Sequence, residues 1–214
     1  MAINGSDDKL TPVTDALSVL TIGHSAHPWE RFAALLQGAG VTAIGDVRTS
    51  PYSRRSPHFN RDQLREKLRQ VGVAYVFLGG ELGGRPKEPK LYSNGVADYE
   101  GMAKSAEFSK GLRRVIEGAK DYRIALLCSE QDPLSCHRCL LVGRALANHG
   151  VEVRHILSQG AVKTQAEIEH RLLELHGQDA HDLFLPRTDK LAAAYRAQAR
   201  KVAFARPPSN QKIK

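Results

Sequence analysis

The chain has 214 residues, a formal net charge of +8 and three cysteines. This length allows one α/β domain with a substantial core plus an appendage. No apolar run is long enough to cross a bilayer, and charged residues interrupt any signal-peptide core near the N-terminus, so no membrane partner is expected. All three cysteines lie within positions 128–139, which argues against a disulfide framework and favours a cytoplasmic location.

The positive charge is concentrated in the last part of the sequence. Eight of the 31 lysines and arginines, but only one of the 23 acids, lie in residues 187–214, so the rest of the chain is nearly neutral. A basic tail can attract nucleic acid or another polyanion. The alternative is a solvated end without a partner.

Apolar runs of strand length recur along the sequence and alternate with helical patterns. The runs cover residues 17–22, 41–47, 73–78, 123–127 and 151–157. Their nearly uniform apolar character is typical of strands buried on both faces of a parallel sheet. The alternation predicts an open, mainly parallel, doubly wound α/β sheet flanked by helices, with a basic C-terminal helix and tail.

Capping residues predict where several helices begin. The expected starts are Pro28, Asn60 with Gln63, about Ser105, Ser135, Thr164 with Glu167, and Arg187. The expected organisation is a loose lead-in over residues 1–16, a single α/β domain over 17–186, and a basic helix and tail over 187–214.

Polar, chemically capable residues follow three of the predicted strands. They are His24 with Ser25, Asp46 with Arg48, and Glu130. The carboxyl ends of parallel strands share one edge, where open α/β sheets bind ligands. The sequence therefore predicts a crevice at this edge, rimmed by the glycine-rich segment 79–84.

Three acid–base candidates each have a structural alternative. Glu130 could act as a general acid or base, or could form a salt bridge with Arg138 or Arg48. Asp46 could orient a base while Arg48 holds an anion, or the two could form an ion pair, because residues two apart on a strand point the same way. His24 could be functional or a hydrogen-bonded core histidine.

Cys136 lies at a predicted helix start beside His137 and Arg138. Such surroundings lower the pKa of a thiol, and the helix start with Arg138 could bind an anion. No Cys-x5-Arg or Cys-x4-Arg loop is present, so a nucleophilic Cys136 is weighed against a packed residue. The predicted substrate contacts are Ser25, Arg48, Ser53, Tyr75, Gly83, Gly84, His137 and Arg138.

Other chemistries leave weaker patterns in the sequence. Cys136 and Cys139 form a Cys-x-x-Cys pair, and with Cys128 and His24 they could bind zinc, but no second such pair is present. Neither a P-loop nor a dinucleotide-binding fingerprint follows a predicted strand. We therefore predict no cofactor and assign no residue as a metal ligand.

Together these motifs resemble a known family. In chain order they are Gly23-His24-Ser25, Asp46-Val47-Arg48, Pro51-x-Ser53 with Pro57-x-Phe59, Tyr75-x-x-Leu78-Gly79 with Leu82-Gly83-Gly84, and Cys128-x-Glu130-x5-Cys136-His137-Arg138. In this combination the sequence is similar to the domain of unknown function 488 family from about Leu20 to Ile156. The resemblance implies a cytoplasmic bacterial or archaeal α/β domain and implies no particular reaction. Cys139 and the tail after about Pro186 lie outside it.

We therefore predict an enzyme, a hydrolase or transferase, that acts on a phosphate-bearing substrate such as a nucleotide or a nucleic acid. The first alternative is a non-catalytic module that binds nucleic acid or nucleotides with help from the basic tail. The second is a thiol redox or zinc protein. The sequence does not indicate an oligomeric state.

Overall fold

The computed structural model describes residues 17–177 and 185–207. Strands form a six-stranded sheet and a separate two-stranded hairpin. In chain order they are β1 (Ser18–Gly23), β2 (Ala43–Asp46), β3 (Ala74–Phe77), β4 (Tyr92–Ser93), β5 (Val96–Ala97), β6 (Ile124–Cys128), β7 (Glu152–Ile156) and β8 (Val162–Thr164). The predicted lead-in over residues 1–16 and the last seven residues of the basic tail lie outside the described residues.

The six-stranded sheet has the order β3-β2-β6-β1-β7-β8. Its first five strands are parallel, which confirms the predicted fold class, and β8 is an antiparallel addition beside β7. Strand β6 pairs with both β2 and β1, with Cys128 opposite Gly23 and Leu127 opposite Asp46. The three strand ends that carry polar residues are therefore immediate neighbours.

The described helices are α1 (Trp29–Gly38), α2 (Arg61–Gln70), α3 (Gly79–Leu82), α4 (Tyr99–Ala103), α5 (Ala106–Gly118), α6 (Arg144–Asn148), α7 (Gln165–Leu175) and α8 (Arg187–Val202). Short 3-10 turns cover Pro57–Phe59, Pro89–Leu91 and Pro133–Ser135, and a π-helical segment covers Arg138–Gly143. Within the part of the chain that the structure describes, no helix combines the length and apolarity needed to cross a membrane.

Both faces of the sheet are covered, which explains why the strands are apolar on both sides. Leu127 packs in a cluster with Phe32 of α1 and Leu64 of α2, whereas Leu126 packs in a larger cluster with residues of α4 to α8. Neighbouring residues of a strand point to opposite faces, so each core receives every second side chain of β6. The site at the strand ends is thus supported from two cores.

Helix α8 and the segment after it pack on the rest of the protein. Ala194 and Tyr195 of α8 are buried in the larger core. Beyond the helix, the N–H of Ala97 donates to the carbonyl of Phe204 at 2.9 Å, and the N–H of Arg206 donates to Gly95 at 2.8 Å. The described part of the basic end therefore adds to the β4–β5 hairpin. The predicted division into a domain over residues 17–186 and a basic helix and tail over residues 187–214 stays a prediction.

The helix starts test the capping predictions one by one. Thr164 and Glu167 form the predicted capping box. Asn60 precedes α2 but does not cap it, because its side chain instead accepts a hydrogen bond from the N–H of Ser53 at 2.7 Å. The prediction for Ser135 is also wrong, since Asp132 caps the Pro133–Ser135 turn through Leu134. The chain then continues through the π-helical segment into α6.

Candidate functional site

A pocket of about 240 Å³ opens beyond the carboxyl ends of β2 and β6. Its lining comes from six short segments of the chain. The lining residues are Arg48, Thr49, Ser50, Gly84, Arg85, Tyr99, Cys128, Ser129, Glu130, Ser135, Cys136, His137, Val202 and Phe204. The predicted crevice at this edge of the sheet is therefore present, and it contains five of the predicted site residues: Arg48, Gly84, Glu130, Cys136 and His137.

Two thiols and one imidazole meet at the floor of this pocket. Nδ1 of His137 lies 3.6 Å from Sγ of Cys128 and 3.9 Å from Sγ of Cys136. All three side chains are buried, and their donor atoms lie within 4.8 Å of one another. We call these three residues the thiol–imidazole cluster.

The ring of His137 is held in one orientation from two sides. Its Nε2 lies 2.9 Å from the carbonyl oxygen of Val47, which can only accept, so Nε2 carries the proton. In the neutral ring, the Nδ1 lone pair then faces the two sulfurs. Gly84 packs against the ring, where an added Cβ would lie 2.9 Å from Cγ and Nδ1. Any larger residue at position 84 would displace the imidazole.

The surroundings of the cluster shift the pKa values of its two thiols in opposite directions. Burial opposes ionisation of both, and it raises the pKa of Cys128 well above its usual value. At Cys136 the hydrogen bond from Cys128, the charge of Arg138 and the contact with His137 outweigh burial and hold the pKa well below the usual range. Burial also works against charge on His137, but its contact with the Cys136 sulfur raises the pKa of the imidazole. Of the two thiols, Cys136 is thus the one whose ionisation the surroundings favour.

Glu130 reaches the cluster from the exposed side of the pocket. Its Oε2 accepts a hydrogen bond from Sγ of Cys128 at 3.0 Å. Partial burial, and then the charge of the Cys136 sulfur, raise the pKa of the carboxyl group above its ordinary value. Among the described residues Glu130 forms no salt bridge, so the ion-pair alternative does not apply.

Arg138 lies beneath the pocket and is fully buried. Its Nη1 and Nη2 donate to the main-chain carbonyls of Glu130 and Gln131 at 2.5 and 2.9 Å, and its own N–H donates to Sγ of Cys136 at 3.4 Å. Gly23 permits this arrangement, because a Cβ there would lie 1.8 Å from the carbonyl oxygen of Glu130. The geometry therefore favours a structural role for Arg138 over the predicted contact with a substrate anion.

Asp46 and Arg48 form the structural ion pair that was the alternative to their predicted roles. Nη2 of Arg48 lies 2.6 Å from Oδ2 of Asp46, and both side chains are buried. The hydroxyl of Tyr75 donates to the same Oδ2 at 2.8 Å. Arg48 lines the pocket with its charge already paired, while Asp46 and Tyr75 stay behind it.

Four other predicted site residues lie outside the lining. Nδ1 of His24 donates to the carbonyl oxygen of Ser25 at 2.8 Å, and its ring stacks on Phe59 with centroids 4.3 Å apart. Burial and the charge of Arg48 lower the pKa of His24 to about 4. Ser25 adopts a left-handed φ of 48° in the turn after β1. Ser53 organises its own loop by accepting two main-chain N–H groups, and Gly83 packs against Thr49. Their functional roles stay predictions.

Cys139 is separated from the cluster although it belongs to the same Cys-x-x-Cys sequence. Its Sγ faces Gln165 at 4.0 Å, and burial raises its pKa to about 12. His24 is likewise absent from the cluster. The zinc alternative considered from the sequence grouped Cys128, Cys136, Cys139 and His24, whereas the structure brings His137, and neither Cys139 nor His24, beside the sulfurs of Cys128 and Cys136.

Several lining residues were not predicted as site residues. Cys128 could have been found, because it lies two positions before Glu130 and so shares its side of the strand end. Tyr99 is a buried aromatic residue of α4 that gives no signal in the sequence. Phe204 comes from the segment after α8, whose position on the hairpin depends on contacts far apart in the chain.

The comparisons with known proteins agree with the resemblance seen in the motifs. A family model described as "Domain of unknown function DUF488" matches residues 28–145, just over half of the chain. The match includes β2 and β6 and the whole cluster, whereas His24 and the strand β7 lie outside it. Neither the curated proteins nor the solved structures gave a match. On its family match and its fold, this chain belongs to the DUF488 family.

Proposed function

We propose that the pocket is the active site of a hydrolase or transferase acting on a phosphate-bearing substrate, such as a nucleotide or a nucleic acid. The observation that carries this proposal is that Glu130 and the thiol–imidazole cluster face one pocket with an arginine, Arg85, on its rim. A proton-transferring carboxyl group, two polarisable sulfur atoms and a cation are then within one site.

Arg85 is the group best suited to hold the phosphate. It is exposed, and within the described part of the chain it forms no salt bridge. Its guanidinium lies over the ring of Phe204, 4.7 Å from the centroid, while its main-chain N–H donates to Oγ1 of Thr49. The guanidinium is therefore positioned but free to form paired hydrogen bonds with phosphate oxygens.

Glu130 would perform the proton transfers. Its carboxylate takes a proton from a water molecule or a substrate hydroxyl as that oxygen forms a bond to the electrophilic atom of the substrate. The bond from this atom to the leaving group breaks, and the proton passes from Glu130 to the leaving group.

All three cysteines are free thiols, in keeping with the cytoplasm as the proposed location.

The first experiment is a thermal-shift screen of inorganic phosphate, nucleotides and short oligonucleotides, followed by turnover assays with the compounds that bind. A ligand at a hundred times its dissociation constant stabilises the fold by about 2.7 kcal/mol. Arg85→Ala should abolish the shift, whereas the control Arg113→Ala, an exposed arginine of α5 away from the pocket, should retain it.

Glu130→Gln tests the chemical step. We expect kcat to fall by about 10²- to 10⁴-fold, the range for loss of a general acid or base, with the binding shift retained. Wild-type turnover by a folded Glu130→Gln variant would contradict the proposed role. Binding of oligonucleotides without turnover of any compound would instead favour a non-catalytic nucleic-acid module.

A further inference from the structure

We infer that Cys128, Cys136 and His137 bind a zinc ion through two sulfurs and Nδ1, with the fourth coordination position open to the pocket. The site itself is argued from geometry alone. Its role in hydrolysis deepens the proposed function and rests on it.

The separations within the cluster match those of a tetrahedral zinc site. With zinc–sulfur distances of about 2.3 Å and zinc–nitrogen distances of about 2.0–2.1 Å, a sulfur and a nitrogen ligand are roughly 3.6 Å apart, and two sulfurs roughly 3.8 Å apart. The sulfurs of Cys128 and Cys136 lie 3.6 and 3.9 Å from Nδ1 of His137, and all three donor atoms lie within 4.8 Å of one another. The two sulfur–nitrogen distances therefore fit zinc to within a few tenths of an ångström, and the two sulfurs would have to approach each other by at most about 1 Å.

The surroundings of the cluster resemble the outer shell of a metal site. A histidine ligand usually donates its other ring N–H to a carbonyl or carboxylate, which fixes the tautomer and turns the remaining lone pair to the metal. His137 does this with the carbonyl of Val47 at 2.9 Å. The main-chain N–H of Arg138 points to Sγ of Cys136 at 3.4 Å, a contact that stabilises a thiolate ligand.

The donor set selects the metal and the kind of site. Two thiolates and an imidazole suit zinc, whereas magnesium and calcium prefer oxygen ligands. Three protein ligands with an open fourth position are characteristic of catalytic zinc, which makes a bound water acidic enough to react near neutral pH. The pocket beside the cluster supplies the space for that fourth position.

Glu130 completes the arrangement without belonging to the ligand set. Its Oε2 touches Cys128, but the carboxylate is not a member of the cluster. Zinc enzymes that hydrolyse nucleobases combine Cys and His ligands with a separate glutamate that transfers protons. This division of roles narrows the proposed reaction to hydrolysis by water, with a nucleobase-bearing phosphate compound as the substrate class to test.

The test measures metal binding by the full chain, independently of activity. The protein is purified under reducing conditions, stripped with a chelator, and reloaded with Zn²⁺ or Co²⁺. We expect about one zinc per chain by elemental analysis. The cobalt form should show the thiolate-to-cobalt charge-transfer band and the ligand-field bands of a tetrahedral site. These readings need no variant and so do not depend on whether a substitution folds.

Variants then assign the ligands. Cys136→Ser and His137→Gln should weaken zinc binding by at least about 100-fold, since each removes one of three ligands. Cys139→Ser is the matched control, because this buried thiol lies in the same segment but faces Gln165, and it should retain full zinc binding. Circular dichroism of each metal-free variant separates a lost ligand from a lost fold.

Three results would overturn the inference: no zinc in the reloaded wild-type protein, a cobalt spectrum without the thiolate band, or equal loss of metal in Cys139→Ser and Cys136→Ser. Glu130→Gln should keep its zinc while losing turnover. Turnover by metal-free wild type would overturn the role of zinc in the reaction and leave both the zinc site and the proposed function intact. Tight zinc binding without turnover of any phosphate-bearing compound would overturn the proposed function alone.

Discussion

Two buried histidines on opposite sides of β1 differ in how completely the protein pairs them. His155 of β7 has both ring nitrogens engaged at 2.8 Å, one with Oγ1 of Thr21 and the other with Oε1 of Gln165. The chain of hydrogen bonds continues from Gln165 to Tyr195. His137 has only Nε2 engaged by an ordinary hydrogen bond, and its Nδ1 faces two sulfurs at longer distances.

The difference separates a structural histidine from one that is available for chemistry. The bonds of His155 leave no ring atom for a ligand, so its environment stabilises the fold and a single neutral tautomer. His137 is fixed in orientation by Val47 and Gly84 but keeps its second nitrogen at the floor of a pocket. Burial alone would not have distinguished the two residues.

The largest expected effect is on stability, at His155. His155→Leu leaves Thr21 and Gln165 without their partner in a buried site, and each unpaired group costs about 1–3 kcal/mol. We expect the free energy of unfolding in urea to fall by about 3 kcal/mol. His137→Leu in metal-free protein removes one ordinary hydrogen bond, to Val47, and two longer contacts with sulfur, and it should cost about 1 kcal/mol. Equal losses of unfolding free energy in the two variants would show that His155 is not more completely paired than His137.

A pH titration gives the next largest effect. Burial lowers the pKa of His155 to about 4, so between pH 6.5 and pH 4 the unfolded chain binds a proton that the folded protein does not. Stability therefore falls as the pH drops through this window, by about 2 kcal/mol for His155 between pH 7.5 and 5. His24, with a similar pKa, adds to the loss. In urea unfolding, the free energy of unfolding of His155→Leu should fall by about 2 kcal/mol less than that of the wild type between pH 7.5 and 5. An equal fall in both proteins would contradict the lowered pKa of His155.

The smallest effect is expected at Gly84. A methyl group there would press on the ring of His137 and turn Nδ1 away from the sulfurs, so Gly84→Ala should weaken zinc binding about tenfold, as loss of an outer-shell contact does. Gly80→Ala is the matched control, since an added Cβ there meets nothing within 4 Å. Competition with a chromophoric chelator measures both. Equal zinc affinities in the two variants would show that Gly84 does not position the ring.

Local patterns in the sequence predicted the parts of the fold that depend on local physics. The apolar run before Cys128 indicated a buried parallel strand, because both faces of β6 are covered. The capping box at Thr164 formed because both of its partners lie within one helical turn. At Asn60 the prediction failed because Ser53, outside the helix, competes for the same side chain.

The candidate site depended more on distant contacts. The sequence placed the correct strand ends on one edge, but its zinc alternative named His24, whereas His137 is the histidine that lies beside Cys128 and Cys136. What makes His137 suitable is the carbonyl of Val47, which lies ninety positions earlier in the chain, and the close approach of Gly84. Neither contact can be recognised from the sequence around Cys136.

Phe204 forms part of the pocket wall, and this has a consequence for biosynthesis. The cysteines and His137 leave the ribosome well before the hairpin receives its last partner at Phe204 and Arg206. A nascent chain therefore contains its three thiols before the pocket beside them is complete. A polypeptide that ended between α7 and residue 202 would lack the side of the pocket that Val202 and Phe204 form.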